Sequence, residues 1–169
     1  EAWLHLFADS RYLVFVNGAV VASGPARFYP EHPEYDSVNL QPWLIAGHNT
    51  LAVQVLSFGT ASFQLRRAPG AFTAWGSVRA GDNALDLATP GNWKCVRDRG
   101  YDSSAPRMSF AMPPIEVYDA RTAGARFSDR CDQPVARPFA RGGKGCVGRG
   151  LVELESVFVC QTLRDARAL

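Results

Sequence analysis

Residues 11–22 read RYLVFVNGAVVA, and this stretch decides the fold. Tyr12-Leu13-Val14-Phe15-Val16 is a run of β-branched, aromatic and aliphatic side chains, residue types that suit a pleated, half-buried surface. Asn17-Gly18 follows, a pair that accepts the two positive φ angles of a type I′ turn, and Ala19-Val20-Val21-Ala22 returns as the antiparallel partner. The unit is a β-hairpin. Gly24-Pro25 ends the returning strand, because proline has no N–H to give to a ladder.

Working outward, residues 2–7 alternate loosely around His5 and break at Asp9-Ser10, which makes a strand ahead of the hairpin. Residues 26–37, ARFYPEHPEYDS, hold two prolines and two tyrosines and read as a structured loop crossing an open end of a sheet. A short strand at 38–40, a helical turn or loop at 41–44 and a tight turn at 46–49 lead into residues 50–56, TLAVQVL, a core strand with Leu51, Val53 and Val55 on one face. Further strands are expected at 62–66, 72–78 and 83–87. Short strands at roughly ten-residue spacing, bounded by Gly, Pro and Asn, predict an all-β antiparallel sandwich of the jelly-roll kind. Helical periodicity is weak, with room for a turn or two only at 161–169. Around Pro113-Pro114 the character changes; from 121 to 150 the chain is rich in Gly, Arg and Pro, and 151–160 is an apolar run read as a final strand. Residues 1–120 are therefore read as the sandwich module and 121–169 as an irregular extension or linker toward a following domain.

The 169 residues are 47% hydrophobic, 20% charged and 11% aromatic, the profile of a globular domain. At this length about 70% of the chain's surface is buried on folding. The longest apolar run is five residues, against the roughly 20 a membrane helix needs, and no membrane partner is expected. The net charge is +2. Arg121, Arg126, Arg130, Arg137, Arg141, Lys144 and Arg149 face only Asp129 and Asp132 in their segment, but aromatics are nearly absent there and no nucleic-acid motif accompanies them, so a solvated surface is expected and nucleic acid is not. Cys95, Cys131, Cys146 and Cys160 lack the close spacing of a zinc site. Three pairings are open to them if oxidised; free, mostly buried thiols are the expectation, and the compartment stays open.

In this order and spacing the features resemble a known family. Ala8-Asp9, Tyr12, Asn17-Gly18, the exit Gly24-Pro25-Ala26-Arg27, the segment Tyr35-Asp36-Ser37 with Leu40 and Leu44, and Ala46-Gly47-His48-Asn49-Thr50-Leu51-Ala52-Val53 resemble the galactose-binding-like β-sandwich that precedes the catalytic barrel in bacterial α-L-rhamnosidases. More loosely they resemble the sugar-binding jelly roll of β-galactosidase-like hydrolases. Thr89-Pro90-Gly91-Asn92-Trp93-Lys94-Cys95 and Ile115-Glu116-Val117-Tyr118-Asp119-Ala120-Arg121 extend the likeness, and the second favours the rhamnosidase branch. The resemblance covers residues 2 to about 125. It implies a non-catalytic accessory sandwich that packs on the catalytic barrel of the same full-length chain, with an autonomous carbohydrate-binding module as the alternative. In such modules a strand normally precedes the one at Trp3, so the mid-strand opening reads as an excised part.

The chemistry-bearing residues agree with a part that is not itself an enzyme. Glycoside hydrolysis needs two carboxyl groups about 5 to 9 Å apart across one bond. Glu31, Glu34 and Asp36 cluster in the Pro-rich loop, where solvated charge is the simpler reading, and Glu116, Asp119, Glu153 and Glu155 are scattered. His5, His32 and His48 read as core or surface histidines, and no Gly-x-Ser-x-Gly elbow, P-loop or HExxH motif is present. No catalytic or metal-ligating residue is expected; an oxygen-ligand calcium site would draw on Asp9, loop carbonyls and Asp36. For contact with a rhamnose-containing carbohydrate, where an aromatic face stacks on a pyranose and polar groups reach its hydroxyls, the candidates are Arg27, Phe28, Tyr29, Tyr35 and Trp75. Trp93 is expected in the core.

Overall fold

The computed structural model describes residues 1–122, except 30, 33, 64, 68, 69, 103 and the side chain of 96, together with the backbone of 155–163. Two antiparallel sheets face one another. Strands β1 (Ala2–Asp9), β4 (Asp36–Asn39), β6 (Ala71–Ala80) and β7 (Asn83–Asp86) form one sheet in the order β4-β1-β6-β7. Strands β2 (Arg11–Val16), β3 (Ala19–Gly24), β5 (Asn49–Ser57), β8 (Lys94–Asp98) and β9 (Glu155–Leu163) form the other in the order β3-β2-β5-β9-β8. The all-β sandwich expected from the strand spacing is the observed fold.

The period-two pattern sets the core. Along β1, Ala2, Leu4, Leu6 and Ala8 are buried, while Trp3, His5 and Phe7 take the opposite face. Tyr12, Val14 and Val16 of β2 and Leu51, Val53 and Val55 of β5 meet them from the second sheet, and Leu40, Leu87 and Trp93 complete the cluster. Trp93 lies in the core as expected; its indole N–H donates to the Leu87 carbonyl at 2.9 Å and its ring meets Phe72 edge-on. The hairpin is as read, with Asn17 at φ 51° and Gly18 at φ 83°. A bulge between Val14 and Phe15 shifts its register.

Four expectations need correction. The described residues of 62–66 form no strand: Ser62 N–H donates to the Leu65 carbonyl at 2.8 Å and its hydroxyl accepts from Leu65 N–H, so a local turn takes the backbone groups a ladder would have used. Lys94–Asp98, not predicted, is an edge strand beside β9. The final strand lies at Glu155–Leu163 rather than 151–160, inserted between β5 and β8, so residues 161–163 are strand and not helix; 164–169 lie outside the described residues. Cys95 is disulfide-bonded, which corrects the free-thiol expectation there, while Cys131, Cys146 and the Cys160 side chain lie outside the described residues. So does the basic run beyond Arg121.

One polar contact crosses the core. The Tyr12 hydroxyl, on a fully buried ring, donates a short hydrogen bond to Asp36 Oδ2, tying β2 to β4. Burial, and then the bond to Asp36 and its charge, push the phenol far above its usual range. The pair is accommodated because Gly24 has no side chain; a Cβ there would come within 2.6 Å of the Tyr12 hydroxyl. Tyr12→Phe should lower the unfolding free energy by about 1–2 kcal/mol, since Asp36 loses its donor while the ring still fills its space. Urea denaturation followed by tryptophan fluorescence reads this, and an unchanged midpoint would show the bond to be dispensable.

Candidate functional site

The outer faces of the two sheets are treated differently. The segment after β8 crosses the outer face of the β2–β5 sheet: Tyr101 and Ala105 pack with Leu56 and Phe58, and Gln54 Nε2 donates to the Tyr101 hydroxyl at 3.1 Å. Arg11 pairs with Glu116 at 2.6 Å in the same layer. Burial and the nearby Glu116 charge raise the Tyr101 phenol above its ordinary value. The outer face of the β1–β6 sheet carries instead a row of rings.

That row brings together two of the predicted contact residues. Trp75 stacks on His5 with ring centres 5.6 Å apart and planes 25° apart, and Tyr35 meets both rings edge-on, at 4.9 Å from Trp75 and 5.7 Å from His5. The ladder explains the meeting: His5 is directly opposite Trp75 on β6 and Ser37 on β4, so alternation along three strands delivers all three side chains to one face. His5 Nδ1 lies 2.8 Å from Ser37 Oγ. Beside the rings is a groove of about 420 Å³, lined by Glu1, Trp3, His5, Ser37, Gly76 and Ser77. Tyr35 remains 58% exposed.

The other predicted residues lie elsewhere, in the loop after β3. Phe28 is buried and meets Phe7 edge-on at 4.9 Å, so it anchors the loop to the sheet rather than facing solvent. Tyr29 is 68% exposed and its backbone bridges to His32. Arg27 is exposed, with its guanidinium 6.0 Å from the centre of the Phe63 ring. It lines a cleft of about 280 Å³ at one end of the sandwich, with Ser10, Arg11, Phe58, Ser62 and Pro113. Beside that cleft stands an apolar rim. Phe63 (75% exposed), Met108, Phe110 (85%) and Met112 all face solvent; Arg107 holds the loop of the last three by donating to the carbonyls of Phe110 and Met112 and to Thr60 Oγ1, and Phe63 N–H donates to the Ala111 carbonyl at 3.1 Å.

Among the described residues the carboxylates are dispersed. Glu31 pairs with Arg66 at 3.0 Å, and Asp119 with Arg121 at 2.9 Å; the Asp119 carboxyl is held below its usual range by that pairing. Asp36 takes the Tyr12 proton donor, and Asp98 accepts from Gly100 N–H and the Tyr118 hydroxyl. Among the described residues no three His, Cys, Asp or Glu side chains gather as metal ligands. The calcium reading joined Asp9 to Asp36. Asp36 faces Tyr12, while Asp9 is buried at the end of β1 with Oδ2 unpartnered among the described residues.

Sequence reasoning placed His5 as an ordinary core or surface histidine, yet it is the centre of the ring cluster. The signal was present in the alternation of β1, where Trp3, His5 and Phe7 oppose Ala2, Leu4, Leu6 and Ala8. What the single strand did not carry was its neighbours, since Trp75 lies 70 positions away along the chain.

No protein-family profile matches the chain, and no curated protein matches it. Among solved structures, a GH78 family rhamnosidase of Bacillus sp. GL1 is 39% identical over 72% of this chain, with a TM-score of 0.63. The match spans 13% of the rhamnosidase chain. The likeness read from the motifs is thus shown in three dimensions: over most of its length this chain is similar, in sequence and in fold, to a β-sandwich part of a GH78 rhamnosidase.

Proposed function

We propose that this sandwich is a non-catalytic accessory domain of an α-L-rhamnosidase-like glycoside hydrolase, packing on the catalytic barrel of the same polypeptide and contacting carbohydrate. The observation that carries the reading is the match to a domain-sized share, 13%, of a rhamnosidase chain. The rim of Phe63, Met108, Phe110 and Met112 supports it, because several large apolar side chains exposed on two segments joined at Phe63 and Ala111 fit a surface that a neighbouring domain covers. Fold likeness alone assigns no chemistry, so the dispersed, paired carboxylates matter here too.

Incubated with an aryl α-L-rhamnoside, the 169-residue protein should release no aglycone above background. Added to the Bacillus rhamnosidase from which the matching segment has been deleted, it should associate, and Phe110→Asp with Met108→Asp should weaken that association at least about tenfold without lowering thermal stability. Enzyme-dependent aglycone release by the chain alone would overturn the accessory reading, as would association indifferent to the rim. The autonomous carbohydrate-binding module is the second reading, favoured by the exposed rings of Tyr35 and Trp75 packed around His5.

A further inference from the structure

We infer that the outer face of the β1–β6 sheet is a binding site for a neutral pyranose of a glycan chain, with Trp75 and Tyr35 as the stacking platform and the Trp3–Ser37–Ser77 groove receiving the adjoining sugar. This deepens the carbohydrate contact of the proposed function and rests on it. It also moves that contact from the loop end of the sandwich, where Arg27 and Tyr29 lie, to the sheet face.

The rings form a preorganised surface. Trp75 and His5 are stacked, Tyr35 is wedged edge-on against both, and His5 is held at Ser37 Oγ, so little side-chain freedom remains to be lost when a ligand lands. A pyranose presents a face of C–H bonds to such rings and hydroxyls at its rim. The surroundings suit those hydroxyls. Trp3, Tyr35 and Trp75 are each more than a third exposed, and neither the two indole N–H groups nor the Tyr35 hydroxyl meets a hydrogen-bond partner among the described residues. Ser37 and Ser77 line the groove between them.

Charge and size narrow the ligand. Among the described residues the groove has Glu1 as its one charged side chain and no arginine or lysine, a lining that fits a neutral sugar. Its volume, about 420 Å³ beside the exposed rings, suits one or two sugar units. Among the described residues the outer face of the other sheet is covered by Tyr101, Ala105 and Glu116, while the β1–β6 face keeps its rings exposed to a ligand.

The test is a titration of the protein with methyl α-L-rhamnopyranoside and with a rhamnose-terminated disaccharide, read by tryptophan fluorescence and saturation-transfer NMR, with mannitol as a control that has hydroxyls but no ring face. Saturable binding is expected for both sugars and none for mannitol, with the disaccharide tighter. Trp75→Ala should weaken binding at least about tenfold and Tyr35→Ala about fivefold. Trp75→Phe, which keeps a ring and guards against a folding defect, should recover most of the loss. Arg27→Ala and Phe63→Ala, at the other end of the sandwich, should leave it unchanged. No saturable signal up to about 100 mM sugar overturns the site, as does binding that survives Trp75→Ala or is lost in Arg27→Ala. Either result leaves the accessory-domain reading to its own test at the Phe110 rim.

Discussion

Asn49→Ala is expected to lower the unfolding free energy by about 3–4 kcal/mol, a large share of the stability of a domain this size. Asn49 is buried at the start of β5, and its amide is used at every position. Oδ1 accepts from Ile45 N–H at 2.8 Å and from Asn17 Nδ2 at 2.9 Å; Nδ2 donates to the Ile45 carbonyl at 2.8 Å and to the Gly47 carbonyl at 3.3 Å. Alanine removes four hydrogen bonds at once, all made by an amide that is itself buried, and leaves the exposed Ile45, Gly47 and Asn17 groups to water. The damage does not stay local. Asn17 also exchanges bonds with Thr50, accepting from its N–H through the side chain at 2.9 Å and donating its own N–H to the Thr50 carbonyl at 2.9 Å, so the hairpin tip and the entry to the central strand are one unit. Asn17→Ala should cost less, and the double mutant should fall short of the sum by about 1 kcal/mol, the coupling expected of residues in one network. Urea denaturation of the four proteins measures this. A loss under about 1 kcal/mol for Asn49→Ala would mean that the turn is held by its backbone alone.

That turn shows how far the sequence could be read. Ala46-Gly47-His48-Asn49 is recognisable as a turn from its residue types, and Gly47 does adopt φ 90°. The role of Asn49 was not legible, because its partners at Asn17 and Ile45 are supplied by packing rather than by spacing. The same division holds elsewhere. Asn17-Gly18 announces a hairpin through local backbone preference, and Leu51, Val53 and Val55 announce a buried face through alternation. Lys94–Asp98 announces nothing, since its pairing partner β9 comes some 60 residues later and the order of a sheet is a non-local fact. At the candidate site, residue type alone offers Tyr35 and Trp75 as candidate contacts, and chain proximity groups Tyr35 with Arg27 and Phe28. The fold sends Phe28 inward and Arg27 to the sandwich end, and joins Trp75 to His5 across a ladder.

Asp9 carries the second large effect, and its sign is set by burial. The residue is 3% exposed, Oδ2 has no hydrogen-bond partner among the described residues, and desolvation, opposed in part by a bond to Ser10, pushes the carboxyl pKa up to about 6 from 3.8. The native state therefore holds a proton that the unfolded chain releases. Stability from this group is complete below about pH 4 and is lost as pH rises through about 6, and above that the fold bears roughly 3 kcal/mol for ionised Asp9. Asp9→Asn, neutral at all pH values, should be stabilised by about 2–3 kcal/mol at pH 7.5 and indistinguishable from the parent near pH 4. Denaturation curves of both proteins across that range isolate Asp9, since every other titrating group is common to the pair. A difference independent of pH would refute the burial argument. A loss of stability at pH 7.5 would point the other way, to a cation on Oδ2 that asparagine holds less well, and EDTA would then lower the melting temperature of the parent and not of the variant. Asp36 is committed to Tyr12 and no third carboxylate or imidazole stands near among the described residues, so the uncompensated carboxyl is the outcome the geometry favours.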